Sequence, residues 1–187
     1  MAKKVSRIIS LILLVLALIA VLLALRAPEA TLVAVSAQDA KSFDEKIVSL
    51  VQAHQQGASP TAHITETELS SKLQQSIDEN SATPQGSVIL KGASIHLEGD
   101  GFVGVFTLSV SGRELYLTMT GTLAARDGQL QITPSTGKLG RLPIPAPAFR
   151  SLLGKQFDSP EGRERLRLPD FIKDVRIENS ELLVQAK

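Results

Sequence analysis

The sequence predicts an α+β fold, an antiparallel β-meander packed on amphipathic helices and preceded by one transmembrane helix. Three observations predict it. Residues 8–25 are an uninterrupted run of 18 uncharged residues in which Ser10 is the one polar side chain. From about residue 39 to 79, apolar residues recur every three or four positions, the period of a helix face. From Ser87 the period falls to two, with turn dipeptides between the segments.

Composition narrows the chemistry. The chain of 187 residues has no Cys, no Trp, one Tyr and six Phe. Without Cys there is no disulfide framework, no thiolate zinc site and no Cys nucleophile. Its 20 basic residues nearly balance 19 acidic ones. Four of the basic residues, Lys3, Lys4, Arg7 and Arg26, flank the apolar run, and no acid precedes Glu29. The remainder holds 16 basic against 19 acidic residues, a net of −3, the wrong sign for a phosphate-backbone binder.

The apolar run is long enough to cross a bilayer, for which about 20 residues suffice. Lys3, Lys4 and Arg7 before it place the N-terminus in the cytoplasm and everything after Arg26 outside. The competing reading is a cleaved signal peptide, whose apolar core is shorter and is followed closely by a small-x-small site. Here Arg26 and Pro28 follow instead. The expected organisation is a cytoplasmic tip and signal anchor at 1–26, a linker at 27–38, and an exported domain at 39–187.

Within that domain a first helix is expected over about 39–56, with Phe43, Ile47, Leu50, Val51 and His54 on one stripe. Gly57 and Pro60 end it. Thr65 and Glu68 form a capping box, with Ile64 and Leu69 at the staple positions, opening a helix over about 66–79. Its stripe is Leu69, Leu73 and Ile77. Strands are then expected at 88–90, 94–98, 102–110, 114–125 and 129–133. Their turns are Asp100-Gly101, Ser111-Gly112 and Asp127-Gly128. In the clearest strand Leu115, Leu117, Met119, Gly121 and Leu123 share one face, and Tyr116, Thr118, Thr120 and Thr122 the other. The alternate prolines Pro143, Pro145 and Pro147 predict a stiff extended connector. A short helix at about 148–157, a charged loop at 158–167 and a hairpin around Asn179-Ser180 complete the chain.

No catalytic constellation is legible. His54, His63 and His96 are placed on a helix, in a loop and in a strand, away from one another. Asp100 and Asp127 precede Gly in turns, where Asp tolerates left-handed backbone. There is no nucleophile elbow or phosphate-binding loop. No enzyme activity, cofactor, metal or nucleic-acid partner is expected, and the sequence names no protein partner. The apolar sheet face is either ordinary core or a wall for acyl chains, which need few polar contacts. The gaps at Gly104 and Gly121 motivate the second reading. Its lining candidates are Leu69, Leu73, Phe106, Leu108, Leu117, Met119 and Leu123. Phe149, Leu152, Leu153 and Phe157 on the short helix either dock on the domain or contact a membrane.

The order of these elements carries a resemblance. The capped helix from Ile64 to Leu73 is followed by Gly121-Thr122-Leu123 and Asp127-Gly128-Gln129-Leu130. Then come Leu139-Gly140-Arg141-Leu142-Pro143-Ile144-Pro145 and Leu168-Pro169-Asp170-Phe171-Ile172. Over roughly residues 60–187 this resembles the YpmS-like family of small membrane-anchored bacterial proteins. More loosely it is similar to bacterial relatives of the tubular lipid-binding (TULIP) superfamily. The resemblance implies a strongly curved sheet wrapped on a long helix, an apolar groove for lipid, and a place on the bacterial cytoplasmic membrane with the domain outside. It transfers no functional residue. The extra helical stretch at 39–56 departs from the pattern. The expected function is therefore non-covalent binding of lipid or another amphiphile by an anchored envelope protein. The alternative is a structural or interaction module with no ligand cavity.

Overall fold

A computed structural model describes residues 32–80, 88–149 and 159–187, with 15, 18–20, 22–24, 26–27 and 151 besides. Most of the apolar run lies outside the described residues, as do Leu152, Leu153 and Phe157. Among the described residues no helix is long and apolar enough to cross a membrane.

Ser36 caps the first helix, α1 (Ala37–Gln55), its Oγ accepting from Asp39 N at 3.0 Å. The helix begins two residues before its expected start at 39, because a cap is set by a side-chain oxygen and not by hydropathy. Gly57, at φ +83, ends it. Strand β1 (Thr61–Ile64) follows and contains His63, which the sequence places in a loop. Helix α2 (Glu66–Asn80) opens on the expected capping box. Glu68 N donates to Thr65 Oγ1 at 3.3 Å and Thr65 N donates to Glu68 Oε2 at 2.9 Å.

The meander is β2 (Val88–Glu98), β3 (Gly101–Val110), β4 (Arg113–Arg126) and β5 (Gln129–Leu139), all antiparallel. The first turn is Gly99-Asp100, one residue earlier than the Asp-Gly dipeptide suggests, since Gly101 already pairs with Glu98. Gly99 supplies its positive φ. The turns at Ser111-Gly112 and Asp127-Gly128 have both residues at positive φ, the form that suits the twist of a hairpin. Strand β2 is continuous through a bulge between Leu90 and Gly92. Strand β5 runs six residues beyond its expected end, through a bulge beside Pro134.

The proline connector is part strand. Leu142–Ile144 form β6, which pairs with β5 alone, so Pro143 sits on an edge, where its missing N–H breaks no ladder. The charged stretch after residue 158 contains helix α3 (Pro160–Arg165). The last hairpin is β7 (Ile172–Glu178) and β8 (Glu181–Ala186), turning at Asn179-Ser180 as expected.

All eight strands belong to one sheet, with the path β1-β8-β7-β4-β3-β2, β5 branching from β4 and β6 pairing with β5. Both end strands of that path touch the helix pair, β1 through α1 and β2 through α2. One hydrophobic core joins Leu50, Ile64, Ile95, Leu97, Phe102, Met119, Val175, Ile177 and Val184, with Phe43, Ile47, Leu69 and Leu73 packed against it. The fold is therefore α+β, with helices and one large antiparallel sheet around a shared core.

Candidate functional site

Helix α2 fixes the border of the apolar face by sealing the free edge of β2. Three of its side chains, at successive four-residue steps, bond the backbone of that strand. Glu66 Oε2 accepts from Leu97 N at 3.3 Å. Ser70 Oγ accepts from Ile95 N at 2.8 Å and donates to Ile95 O at 3.2 Å. Gln74 Nε2 donates to Lys91 O at 3.2 Å, the carbonyl of the bulged residue. An edge strand otherwise offers these groups to any passing strand. The sequence showed this stripe only as the polar side of an amphipathic helix.

A second polar knot ties α1 to α2. Glu68 is buried, with Lys46 Nζ at 2.7 Å from Oε2 and the Ser42 hydroxyl donating to Oε1. Burial alone pushes this carboxyl up. The Lys46, Ser42 and Thr65 hydrogen bonds outweigh burial and hold it down at about 2, from an ordinary 4.5.

The inner face of the meander is a ladder of cross-strand rows. Leu97, Phe102 and Gly121 form one row, and Ile95, Gly104 and Met119 the next. Both are closed, with Met119 only 5% exposed. The gaps expected at the two glycines are filled by the protein itself. A Cβ at Gly104 would lie 2.9 Å from the Phe106 ring and 3.2 Å from Ile95 Cδ1. At Gly121 it would lie 2.6 Å from Thr133 O. The row Ala93, Phe106 and Leu117 is the boundary, its last two members half-buried. Beyond it Leu90, Leu108 and Leu115 form a row that opens toward β2, with Leu108 and Leu115 half-buried and Leu90 38% exposed. Val88 and Val110 continue it, with Val88 50% exposed.

The structure thus divides the lining candidates. Leu69, Leu73, Leu123 and Met119 belong to the core or pack on it. Phe106 and Leu117 also touch that core, and Leu108 lies outside it on the open row. Phe149 is not placed to contact a membrane, being 2% exposed. Its ring lies on Gly137, where a Cβ would come within 2.4 Å of it. The side chain takes the space that the missing Cβ leaves.

Clefts among the described residues lie elsewhere. One of about 480 Å³ between α1 and α2 is lined by Val35, Ala40, Asp44, Ser71, Gln75 and Asp78. Another of about 500 Å³ lies between α1 and β1, against Lys46, Leu50 and His63. Smaller ones of about 340 and 290 Å³ are lined mainly by polar side chains of β1, β7 and β8, and of the outer meander face. None of the seven lining candidates borders these four.

The histidines are spread over the molecule. His54 Nδ1 meets Lys187 O at 3.2 Å, and its ring stacks on Phe171. His63 Nδ1 pairs with Glu181 at 2.9 Å, and His96 Nδ1 lies 3.5 Å from Glu66. Among the described residues no three His, Asp or Glu side chains gather as metal ligands. No protein-family model, curated protein or solved structure matches the chain.

Proposed function

We propose that this is a single-pass envelope protein, not an enzyme, whose exported domain holds an acyl chain or another amphiphile against the open end of a curved sheet. The observation that carries the reading is the change along one continuous face. The rows containing Leu97 and Ile95 are closed by protein, while further along Leu108 and Leu115 are half-buried and the β2 end of the face is exposed at Leu90 and Val88. Apolar side chains beyond the end of a core are what a chain-binding surface needs, since acyl groups ask for apolar walls and few polar contacts. The contact of both end strands with the helix pair supports the curvature. The 18-residue apolar run with basic flanks supports the anchor, and with it a bacterial cytoplasmic membrane location, the domain outside. The resemblance to YpmS-like and tubular lipid-binding proteins points the same way.

The test is native mass spectrometry of the full chain released from detergent, followed by lipid extraction, for the wild type and Leu108→Lys. Leu108 is half-buried beside the core, so β circular dichroism equal to wild type is required of the variant before its lipid is compared. A stoichiometric acyl species on the wild type and its loss from the variant are expected. Equal lipid on both would mean that the lipid belongs to the anchor, and the proposal would fail.

A second reading has its own observation. The filled positions at Gly104 and Gly121 favour a structural or interaction module without a ligand cavity. For that module the open row is a contact surface for protein, and the same spectrum shows no bound acyl species.

A further inference from the structure

The end of the apolar run is fastened to the domain. Arg141 N donates to Leu23 O at 2.9 Å, and Arg141 Nε reaches Ala27 O at 3.4 Å. Gly140, beside it in the β5–β6 turn, donates to Tyr116 O at 2.6 Å. A Cβ at Gly140 would lie 2.4 Å from Ala24 O, 2.6 Å from Leu23 O and 2.7 Å from Arg26 O. Its φ is +58, so two independent constraints select glycine here. Carbonyls at the C-terminal end of a helical segment lack intrahelical partners and carry partial negative charge. The Arg141 backbone and side chain answer both needs, and Arg26 adds a second cation. Further on, Val33 N donates to Ser94 Oγ at 2.7 Å, and Ser36 N to Ser71 Oγ at 3.0 Å. A segment that reads as a linker is therefore attached at both ends.

We infer that the β5–β6 turn seats the membrane-side end of the anchor and holds this end of the sheet on anionic lipid head groups. The inference rests on the anchored reading above. The hydrocarbon of a bilayer ends where the apolar run ends, at Leu25 and Arg26. Residues bonded to 23–27 sit within about one helical turn of that boundary. The side chains gathered there suit it. Arg141 and Lys138 are exposed on the side of half-buried Tyr116, and Arg113 is exposed on the other face at the end of β4. Basic and aromatic side chains concentrate at the head-group level. Two acids lie near them: Glu114, which accepts from the Tyr116 hydroxyl at 3.3 Å, and Glu98, which lines the same cleft as Lys138 and Gly140. The opposite end of the meander carries Asp100 and Asp127 at its turns. The seat also puts the open row of Leu90, Leu108 and Leu115 at the membrane end of the sheet, where a lipid could enter without crossing water.

The absence of Cys allows single labelling sites at the two turns that flank β4, Ser111→Cys and Asp127→Cys. Each full chain is spin-labelled and reconstituted in vesicles of phosphatidylcholine with phosphatidylglycerol. Accessibility to oxygen and to an aqueous nickel chelate then reports depth. The Ser111 label is expected at head-group depth. The Asp127 label is expected fully in water, because the 14 residues of β4 rise about 3.3 Å each. In vesicles of phosphatidylcholine alone the Ser111 label should move toward water; an unchanged depth overturns the head-group contact. Gly140→Ala should release the Ser111 label into water with the β circular dichroism retained, and the label comparison in the parent chain stands without this variant. Equal aqueous exposure of both labels in a vesicle-bound chain overturns this inference and leaves the anchor intact. A chain stripped from vesicles by alkaline carbonate overturns both.

Discussion

Ser70 shows how much one hydroxyl does in this molecule. It is fully buried and serves both backbone groups of Ile95 on the edge of β2. Ser70→Ala leaves a buried N–H and C=O without partners, which costs about 1–3 kcal/mol. The urea midpoint of the full chain in detergent should fall accordingly, and an unchanged midpoint would contradict the sealing role. Glu68 makes a prediction about pH. Its carboxyl is held at about 2 in the folded chain against an ordinary 4.5. A depressed pKa stabilises fully above the unfolded value and ceases to do so as pH falls through the folded one. Stability should therefore decline between about pH 4.5 and 2, by about 2 kcal/mol once solvent screening at Lys46 is allowed for. Glu68→Gln should be less stable at pH 7 and lack this part of the acid limb, measured by urea unfolding at both ends of the range. The capping role of Glu68 was legible, because Thr-x-x-Glu is a local pattern. The bonds of Ser70 were not, because polar residues on an amphipathic helix ordinarily face water.

At the scale of elements, the packing of Phe149 on Gly137 joins the proline connector to the sheet. Gly137→Ala puts a methyl where the ring lies and should destabilise by about 1–3 kcal/mol, the usual range for overpacking. Hydrogen exchange should rise first at β6 and the end of β5. Protection equal to wild type would contradict the account. Elements with strong local signals were readable in advance. The alternation of β4, the turns at Ser111-Gly112 and Asp127-Gly128, and the last hairpin all lie close to their expected places. The elements missed depend on distant partners. Strand β1 is four residues that pair with β8, more than a hundred positions away. Strand β6 contains a proline and exists because β5 offers it an edge. Helix α3, Pro160–Arg165, has no apolar stripe in its sequence.

For the whole molecule, the legible part of the candidate site was its strand parity. Leu117, Met119 and Phe106 do share one inner face with Leu108. Parity gives the face but not how far the core extends along it. That depends on the rings of Phe102 and Phe106, which fill the glycine gaps, and on where helix α2 stops covering β2. The result is a face closed at the end of Leu97 and open at the end of Leu90, with the open end beside the turn that receives residues 23–27. The central claim is that an acyl chain lies on that open end. The most direct measurement is photo-crosslinking in vesicles with a phospholipid carrying a diazirine in its acyl chain, followed by peptide mapping of the full chain. The account predicts adducts on Val88 to Lys91 and on Phe106 to Leu117 in addition to the anchor. Adducts confined to the first 27 residues would contradict it.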